Sequence, residues 1–294
     1  MSAKIIDGQA IAEHVKQELR ERISILQQKG IVPGLAAVLI GDDPASQVYV
    51  AMKAKAFAAL GLFSETFRLP VTVDLAEVLA LIDQLNSDNR FHGILVQLPL
   101  PEHLDSDRII AQIDPQKDAD GLHPMNMGRM LLGMEAPLPC TPHGILMLLK
   151  YSEIETVGKH VVVLGRSNIV GKPIANLLFQ KCNPGNATVT ICHTRTTNLQ
   201  YLTRQADILI AAIGRPEFVR GDFIKDGTVV IDVGVNRVTA PETARGYRLV
   251  GDVKFDEVAP KAAAITPVPG GVGPMTIAML IYNTVFLAEK ALQT

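Results

Sequence analysis

Tyr49 and Lys53 stand four residues apart, the spacing that puts two side chains on one face of a helix. An amine beside a phenol can bind a ligand, orient it or move protons. The same spacing serves an aromatic ring packed beside a snorkelling lysine, so the pair alone leaves both readings open. Gln97 follows Gly93-Ile94-Leu95-Val96 and precedes Leu98-Pro99-Leu100-Pro101. A polar residue at the carboxyl end of a buried parallel strand lies where open α/β sheets bind ligands, although an amide there can equally satisfy loop backbone. Asp118 and Asp120 flank Ala119 in the run that continues Gly121-Leu122-His123-Pro124. Two acids so spaced could hold a cation, but no His/Asp cluster at ligand spacing supports them, and no metal is expected. A plain turn explains them as well.

Two glycine-bearing segments could cradle a ligand through their backbones. Residues 269–277 read Pro269-Gly270-Gly271-Val272-Gly273-Pro274-Met275-Thr276-Ile277. Proline fixes φ and withholds a donor, while glycine lets another backbone or a ligand approach closely. The apolar run from Met275 predicts a helix, so the segment is a rigid loop at a helix N-terminus, where N–H groups are free. The second segment is Val161-Val162-Val163-Leu164-Gly165-Arg166-Ser167-Asn168-Ile169-Val170-Gly171-Lys172-Pro173. It sets a glycine turn between a buried strand and a helix, the place of a dinucleotide fingerprint. Ser167 occupies the second glycine position, and the last glycine is displaced. A nicotinamide site that prefers NAD carries an acid after its second strand, on the ribose hydroxyls. Here that strand ends Cys192-His193-Thr194-Arg195-Thr196, with no acid. Arg166 and Arg195 together suit a 2′-phosphate and favour NADP.

These residues need elements to hold them. Asp7 caps a helix running to Gly30, and Leu35–Gly41 reads as a buried strand. Asp43-Pro44 is an N-cap followed by proline at the first helical position, opening a helix to about Gly61. Residues 74–88 form another amphipathic helix, and residues 93–98 another apolar strand. Between residues 114 and 143 prolines break the periodicity, giving a long functional connection. From Lys159 the pattern restarts, with strands at 161–164, 187–192, 207–213 and 228–233. Alternating strands and helices predict parallel sheets with helices on both faces. At 294 residues, 48% of them hydrophobic, the chain has room for two domains. The expectation is two α/β domains, the second a Rossmann-like parallel sheet, with a catalytic cleft between them. The helix from Met275 should pack back on the first domain. A net charge of −2 argues against nucleic acid. No apolar stretch reaches the roughly 20 residues of a membrane span, and the N-terminus lacks a secretory apolar region. Cys140, Cys182 and Cys192 are too few and too irregularly spaced for a disulfide framework or a zinc site. Cys140 reads as a small buried residue, not a nucleophile.

Taken together, the strings Tyr49-Val50-Ala51-Met52-Lys53, Gln97-Leu98-Pro99-Leu100-Pro101, Gly165-Arg166-Ser167 and Pro269-Gly270-Gly271-Val272-Gly273-Pro274 closely resemble those of the bifunctional methylenetetrahydrofolate dehydrogenase/methenyltetrahydrofolate cyclohydrolase family. Pro139-Cys140-Thr141-Pro142 also matches, and the likeness runs from Lys4-Ile5-Ile6-Asp7-Gly8 to the last helix. The resemblance implies that Lys53 is the central catalytic group, that Gln97 hydrogen-bonds it and that Tyr49 lines the folate pocket. It implies that Asp120 holds the pterin's donors and that the loop at Pro269, Gly270 and Gly271 contacts substrate. On the cofactor side it implies Gly165, Arg166, Ser167, Thr194, Arg195 and Val235. Thr194 replaces a common serine and keeps its hydroxyl. Val235 replaces an isoleucine, and Ala119 replaces a valine. Asn183-Pro184-Gly185-Asn186 is longer than in some members and is expected to be a surface loop.

The implied domains are residues 1–143 plus 275–294 for folate and catalysis, and 144–274 for NADP. The implied function is oxidation of 5,10-methylenetetrahydrofolate with NADP, then hydration to 10-formyltetrahydrofolate, in one-carbon metabolism and purine biosynthesis. The implied setting is a cytoplasmic homodimer with no nucleic-acid or membrane partner. A monofunctional dehydrogenase, a shikimate-dehydrogenase-like oxidoreductase and an inactive NADP-binding sensor remain as alternatives. Retained Lys53 and Gln97 weigh against the first, the glycine-proline loop against the second, and intact Tyr49, Lys53, Gln97 and Asp120 against the last.

Overall fold

Three aspartates fix where three helices begin. Asp7 Oδ1 accepts the N–H groups of Gln9 and Ala10, each at 3.0 Å. Asp43 accepts Ser46 N at 2.7 Å, and Asp74 accepts Glu77 N at 2.8 Å. Each satisfies donors that a helix start leaves without a partner. The computed structural model describes residues 3–243 and 246–293. In chain order the elements are β1 (Lys4–Ile5), α1 (Gly8–Gln28), β2 (Gly34–Ile40), α2 (Pro44–Ala58), β3 (Phe63–Leu69), α3 (Leu75–Ser87), β4 (Gly93–Val96), α4 (Ser106–Gln112), α5 (Pro124–Leu131) and α6 (Cys140–Tyr151). They continue as β5 (His160–Leu164), α7 (Gly171–Phe179), β6 (Thr188–Cys192), α8 (Leu199–Thr203), β7 (Ile208–Ala211), β8 (Val229–Asp232), β9 (Asn236–Thr239), β10 (Tyr247–Val250), α9 (Phe255–Val258), β11 (Ala264–Ile265) and α10 (Val272–Ala291).

The chain divides into two units. One holds residues 14–140 and those from Ile277 on, around a three-stranded parallel sheet in the order β3-β2-β4. All seven residues of β2 are buried, as a central parallel strand covered on both faces requires. Ile82, Phe91, Ile94 and Ile109 pack the core on one side of that sheet. The body of α10 belongs here. Asn283 Nδ2 donates to the Ala119 and Leu138 carbonyls at 2.9 and 2.8 Å, and Arg22 of α1 grips Glu289 through two nitrogens, at 2.9 and 2.6 Å.

The other unit holds the residues up to Glu13 and Thr141–Thr276, around a parallel sheet in the order β1-β11-β8-β7-β5-β6. Its strands run 2-1-3-4-5 from β6, a doubly wound order whose switch point falls between β5 and β7. An antiparallel pair, β9 and β10, is appended.

Several expectations need correcting. Strand β1 hydrogen-bonds β11 as an edge strand of the larger sheet. The divisions fall at 13/14, 140/141 and 276/277, so α1, α6 and α10 each contain one. The stretch 114–143 is not structureless. His123 caps α5 by accepting Met125 N at 3.0 Å, with Pro124 at the first helical position, so the apparent break is a helix start. The last helix begins at Val272, not Met275, since Pro274 lies in the first turn, where its missing N–H costs nothing. Val272–Ala291 is also long and apolar enough to cross a membrane by length and composition. Thr276, Asn283 and Thr284 interrupt its apolar run, and 61% of an 18-residue apolar stretch of it is buried inside the protein. In the segment 183–186, Pro184 and Gly185 are buried, because Thr156 Oγ1 binds Gly185 N and O, both at 2.9 Å.

Candidate active site

The buried face of α2 is Ser46, Val50, Lys53 and Phe57, one stripe of a helix. Val50 and Phe57 therefore carry Lys53 inward with them, leaving it 7% exposed. Its Nζ donates to Gln97 Oε1 at 2.9 Å, and Gln97 Nε2 donates to the Leu98 carbonyl at 2.7 Å. The second bond holds the amide so that its oxygen faces the amine. Gln97 follows β4 directly, and its N–H donates to Val38 O of β2 at 2.9 Å, which fixes it at the carboxyl edge of the sheet. Tyr49 lies one turn before Lys53 on α2, partly buried.

The segment before α5 reaches the same edge by pairing. Ile94 N donates to Lys117 O at 2.6 Å, and Ala119 N donates to Ile94 O at 3.3 Å. This short parallel bridge carries the chain alongside β4. Gly93 permits it, since a Cβ there would come within 2.8 Å of the Ala119 Cβ. The two aspartates then part company. Asp118 turns inward, 1% exposed, and accepts from Leu122 N, His123 N and Asn126 Nδ2 at 3.1, 2.8 and 2.9 Å. Burial pushes its carboxyl above the usual range, and those bonds pull it back. It is a structural clasp. Asp120 keeps partial exposure, and its carbonyl accepts Cys140 N at 3.2 Å. The Cys140 thiol is pushed well above its ordinary value, by burial first and then by Asp120. It stays protonated and is no nucleophile. The charges of Asp120, Lys53 and Asp118 all reach it, so the structure gathers these side chains around one buried thiol.

The second unit holds a separate constellation. Gly165 ends β5 at φ 138°, and a Cβ there would collide with the Ala212 carbonyl after β7. Only glycine fits. Ser167, at the second glycine position, uses its Oγ to accept Val170 N and Gly171 N at 3.1 and 3.4 Å, capping α7. Among the described residues, the N–H groups of Arg166, Ser167, Asn168 and Ile169 meet no protein acceptor. Leu164 and Cys192 are paired across β5 and β6, so Arg166 and Thr194, each two residues on, leave neighbouring strands at one edge. Arg166, Ser167, Thr194 and Arg195 are exposed. Neither guanidinium has a partner among the described residues. Free N–H groups at the switch point, with two unpaired arginines beside them, fit a phosphorylated dinucleotide. Val235 lies exposed after β8. The Pro269-Gly270-Gly271 turn follows β11, with Gly270 at φ 105° and Gly271 against Thr266.

Sequence reasoning missed the polar groups behind these loops. Asp232, Asp252 and Thr266 are almost fully buried at the carboxyl edge of the larger sheet. An acid closing the apolar strand Val229–Asp232 was the available signal.

Comparison with known proteins adds an independent line. Residues 6–120 match the family described as the tetrahydrofolate dehydrogenase/cyclohydrolase catalytic domain, and residues 139–292 its NAD(P)-binding domain. The bifunctional protein FolD of Geotalea uraniireducens is 53% identical over 288 residues, which cover 98% of this chain and 99% of that one. The solved structure of bifunctional FolD from Campylobacter jejuni is 48% identical, with a TM-score of 0.92 over 99% of this chain and 100% of that one. The Trypanosoma brucei enzyme, solved with NADP and an inhibitor, is 41% identical, with a TM-score of 0.94 and both chains fully covered. With both domains matched and relatives aligned along nearly their whole length, the chain belongs to the tetrahydrofolate dehydrogenase/cyclohydrolase family.

Proposed function

We propose that this chain oxidises 5,10-methylenetetrahydrofolate to 5,10-methenyltetrahydrofolate with NADP, then hydrolyses that cation to 10-formyltetrahydrofolate. The observation that carries the reading is the buried Lys53 amine, held 2.9 Å from the neutral amide oxygen of Gln97. Among the described residues no carboxylate pairs with it.

Hydration needs a group placed to take up a proton and return one. Water adds to the cationic one-carbon centre and loses one proton, leaving a hydroxyl on that carbon. The bond from carbon to N5 then breaks as the hydroxyl gives up its proton to become the formyl C=O, and N5 gains a proton. One proton is released overall. Lys53 takes the proton from the water and is placed to return one to nitrogen, and Gln97 fixes where the amine points. Asp120 accepts from the pterin's N–H donors, and Tyr49 lines the pocket beside it. The Pro269-Gly270-Gly271 turn offers backbone to the folate. Gly165, Arg166, Ser167, Thr194, Arg195 and Val235 would hold NADP, with the arginines on its 2′-phosphate. When bound, NADP supplies the hydride acceptor. The protein's part in that step is to orient the folate. The NADP in the Trypanosoma brucei relative supports this cofactor.

In this reading the enzyme is a cytoplasmic homodimer that serves purine biosynthesis with its formyl product. The deciding assay follows methenyl absorbance from methylenetetrahydrofolate with either nicotinamide, then its decay. Absence of NADP-dependent formation, or decay no faster than in buffer, would reject the proposal.

A further inference from the structure

Two carboxylates lie close together inside the larger-sheet unit, behind the loop that carries Val235. Asp232 ends β8 and is 4% exposed, and Asp252 follows β10 and is fully buried. Asp232 Oδ1 accepts Gly234 N at 3.0 Å and Asp252 N at 2.9 Å, and its Oδ2 accepts Val253 N at 3.0 Å. Asp252 Oδ2 accepts Ile213 N and Gly214 N at 2.7 and 2.8 Å, and its Oδ1 accepts Asn236 Nδ2 at 2.9 Å. Asp232 N donates to Thr266 Oγ1 at 2.7 Å. Glycine makes room for both acids. A Cβ on Gly251 would strike the Asp232 carboxylate, and one on Gly234 would strike that of Asp252.

The bonds tie the loops after β7, β8, β10 and β11 into one knot. The β8 loop carries Val235, flanked by Gly234 and Asn236, both of which the knot holds. Among the described residues, every hydrogen bond that the Asp232 carboxylate accepts comes from a backbone N–H group, so each of its oxygens must stay an acceptor. A protonated Asp232 would turn a donor toward donors and release at least one of them.

We propose that the ionised Asp232 carboxylate is a positioning residue for hydride transfer, acting through Gly234 N and through Asp252 to set the loop that carries Val235. The proposal rests on the reading that Val235 faces the nicotinamide. Burial, reinforced by the Asp252 charge, pushes Asp232 up to about 7, so the knot loosens on the acid side of neutrality. The charged groups near it are few. Asp252 faces it directly, and Glu217, ion-paired with Lys254 and Arg248, touches the outer side of the knot through its N–H on Gly251 O. The loops after β7 and β11 present only backbone and the Thr266 hydroxyl.

The test compares wild type with Asp232→Asn, a fixed mimic of the protonated state. Dehydrogenase kcat of the wild type should fall below about pH 7. Asp232→Asn should lower kcat about tenfold at pH 8, the cost of a small misplacement, and remove the acid limb. Cyclohydrolase activity on preformed methenyl substrate without NADP should stay within about twofold in that variant. An unchanged dehydrogenase limb in Asp232→Asn overturns the proposal, as does equal loss of both activities. If the variant does not fold, the wild type decides. The amide resonances of Gly234 and Val253 must titrate with the midpoint of the dehydrogenase limb, and a mismatch overturns the proposal. Val235→Asp separates the two readings, because unchanged NADP affinity there refutes the nicotinamide contact and leaves the Asp232 limb to be judged by itself.

Discussion

An amine buried among apolar neighbours and facing an amide has few uses besides handling a proton, and its replacement should split the two activities. Lys53→Met removes proton management from hydration, which is worth typically ~10²–10⁴-fold. Hydride transfer moves no proton in its chemical step and should partly survive. We expect methenyl product to accumulate, with Lys53→Arg failing similarly because arginine keeps its proton. A cyclohydrolase that persists in Lys53→Met would sink the mechanism. Asp120→Asn should weaken both activities together, since a donor would then face the pterin's donors; loss of one activity alone refutes the shared role. Arg166→Ala and Arg195→Ala should each weaken NADP, and not NAD, by roughly 1.5–3 kcal/mol, measured by titrating each nucleotide. At this scale the sequence was legible only where several strings stood together. The helical spacing of Tyr49 and Lys53 could not say whether the amine was buried, because that depends on Val50 and Phe57 sharing its stripe. Asp118 and Asp120 looked equivalent as letters. The bridge to Ile94 is what sends one inward and leaves the other at the edge.

Among the elements, caps and buried strands were the readable part, because Asp43-Pro44 and the apolar runs of β2 and β5 act locally. Strand β3 escaped notice because it is an edge strand whose seven residues include no fully buried one. The two-residue strands β1 and β11 exist only through pairing with each other and β8, which no local pattern announces. The prolines near residue 124 broke the periodicity while starting a helix. Elements also pack tightly at Gly93, where a Cβ would come within 3.2 Å of Thr284 Oγ1 as well as meeting the Ala119 Cβ. Gly93→Val should cost about 1–3 kcal/mol by overpacking and weaken folate binding through Ala119 and Asp120. Urea denaturation beside folate titration checks it, and an unchanged stability would mean that the bridge to Ile94 yields freely.

For the whole molecule, two buried groups in the larger-sheet unit oppose each other across acid pH. Burial lowers His143 to about 4, so the unfolded chain binds more protons between that value and its ordinary 6.5, and stability falls as pH drops through that window. Asp232 is raised to about 7, so there the folded chain binds more protons, and stability falls as pH rises from about 4 to 7. His143→Gln should remove the first effect, making the variant gain on wild type by about 3 kcal/mol between pH 6.5 and 4. Thermal melts across that range test it, and a constant difference would contradict the buried neutral imidazole. The division of the chain has a different consequence, one of timing. Strands β2, β3 and β4 leave the ribosome early, yet the helix segment whose Asn283 satisfies the Ala119 and Leu138 carbonyls beside Asp120 is translated only after all of Thr141–Thr276. The unit bearing Lys53 is begun first and closed last, so a nascent chain can complete the larger sheet while the unit that holds Lys53 still waits for a lid of helix.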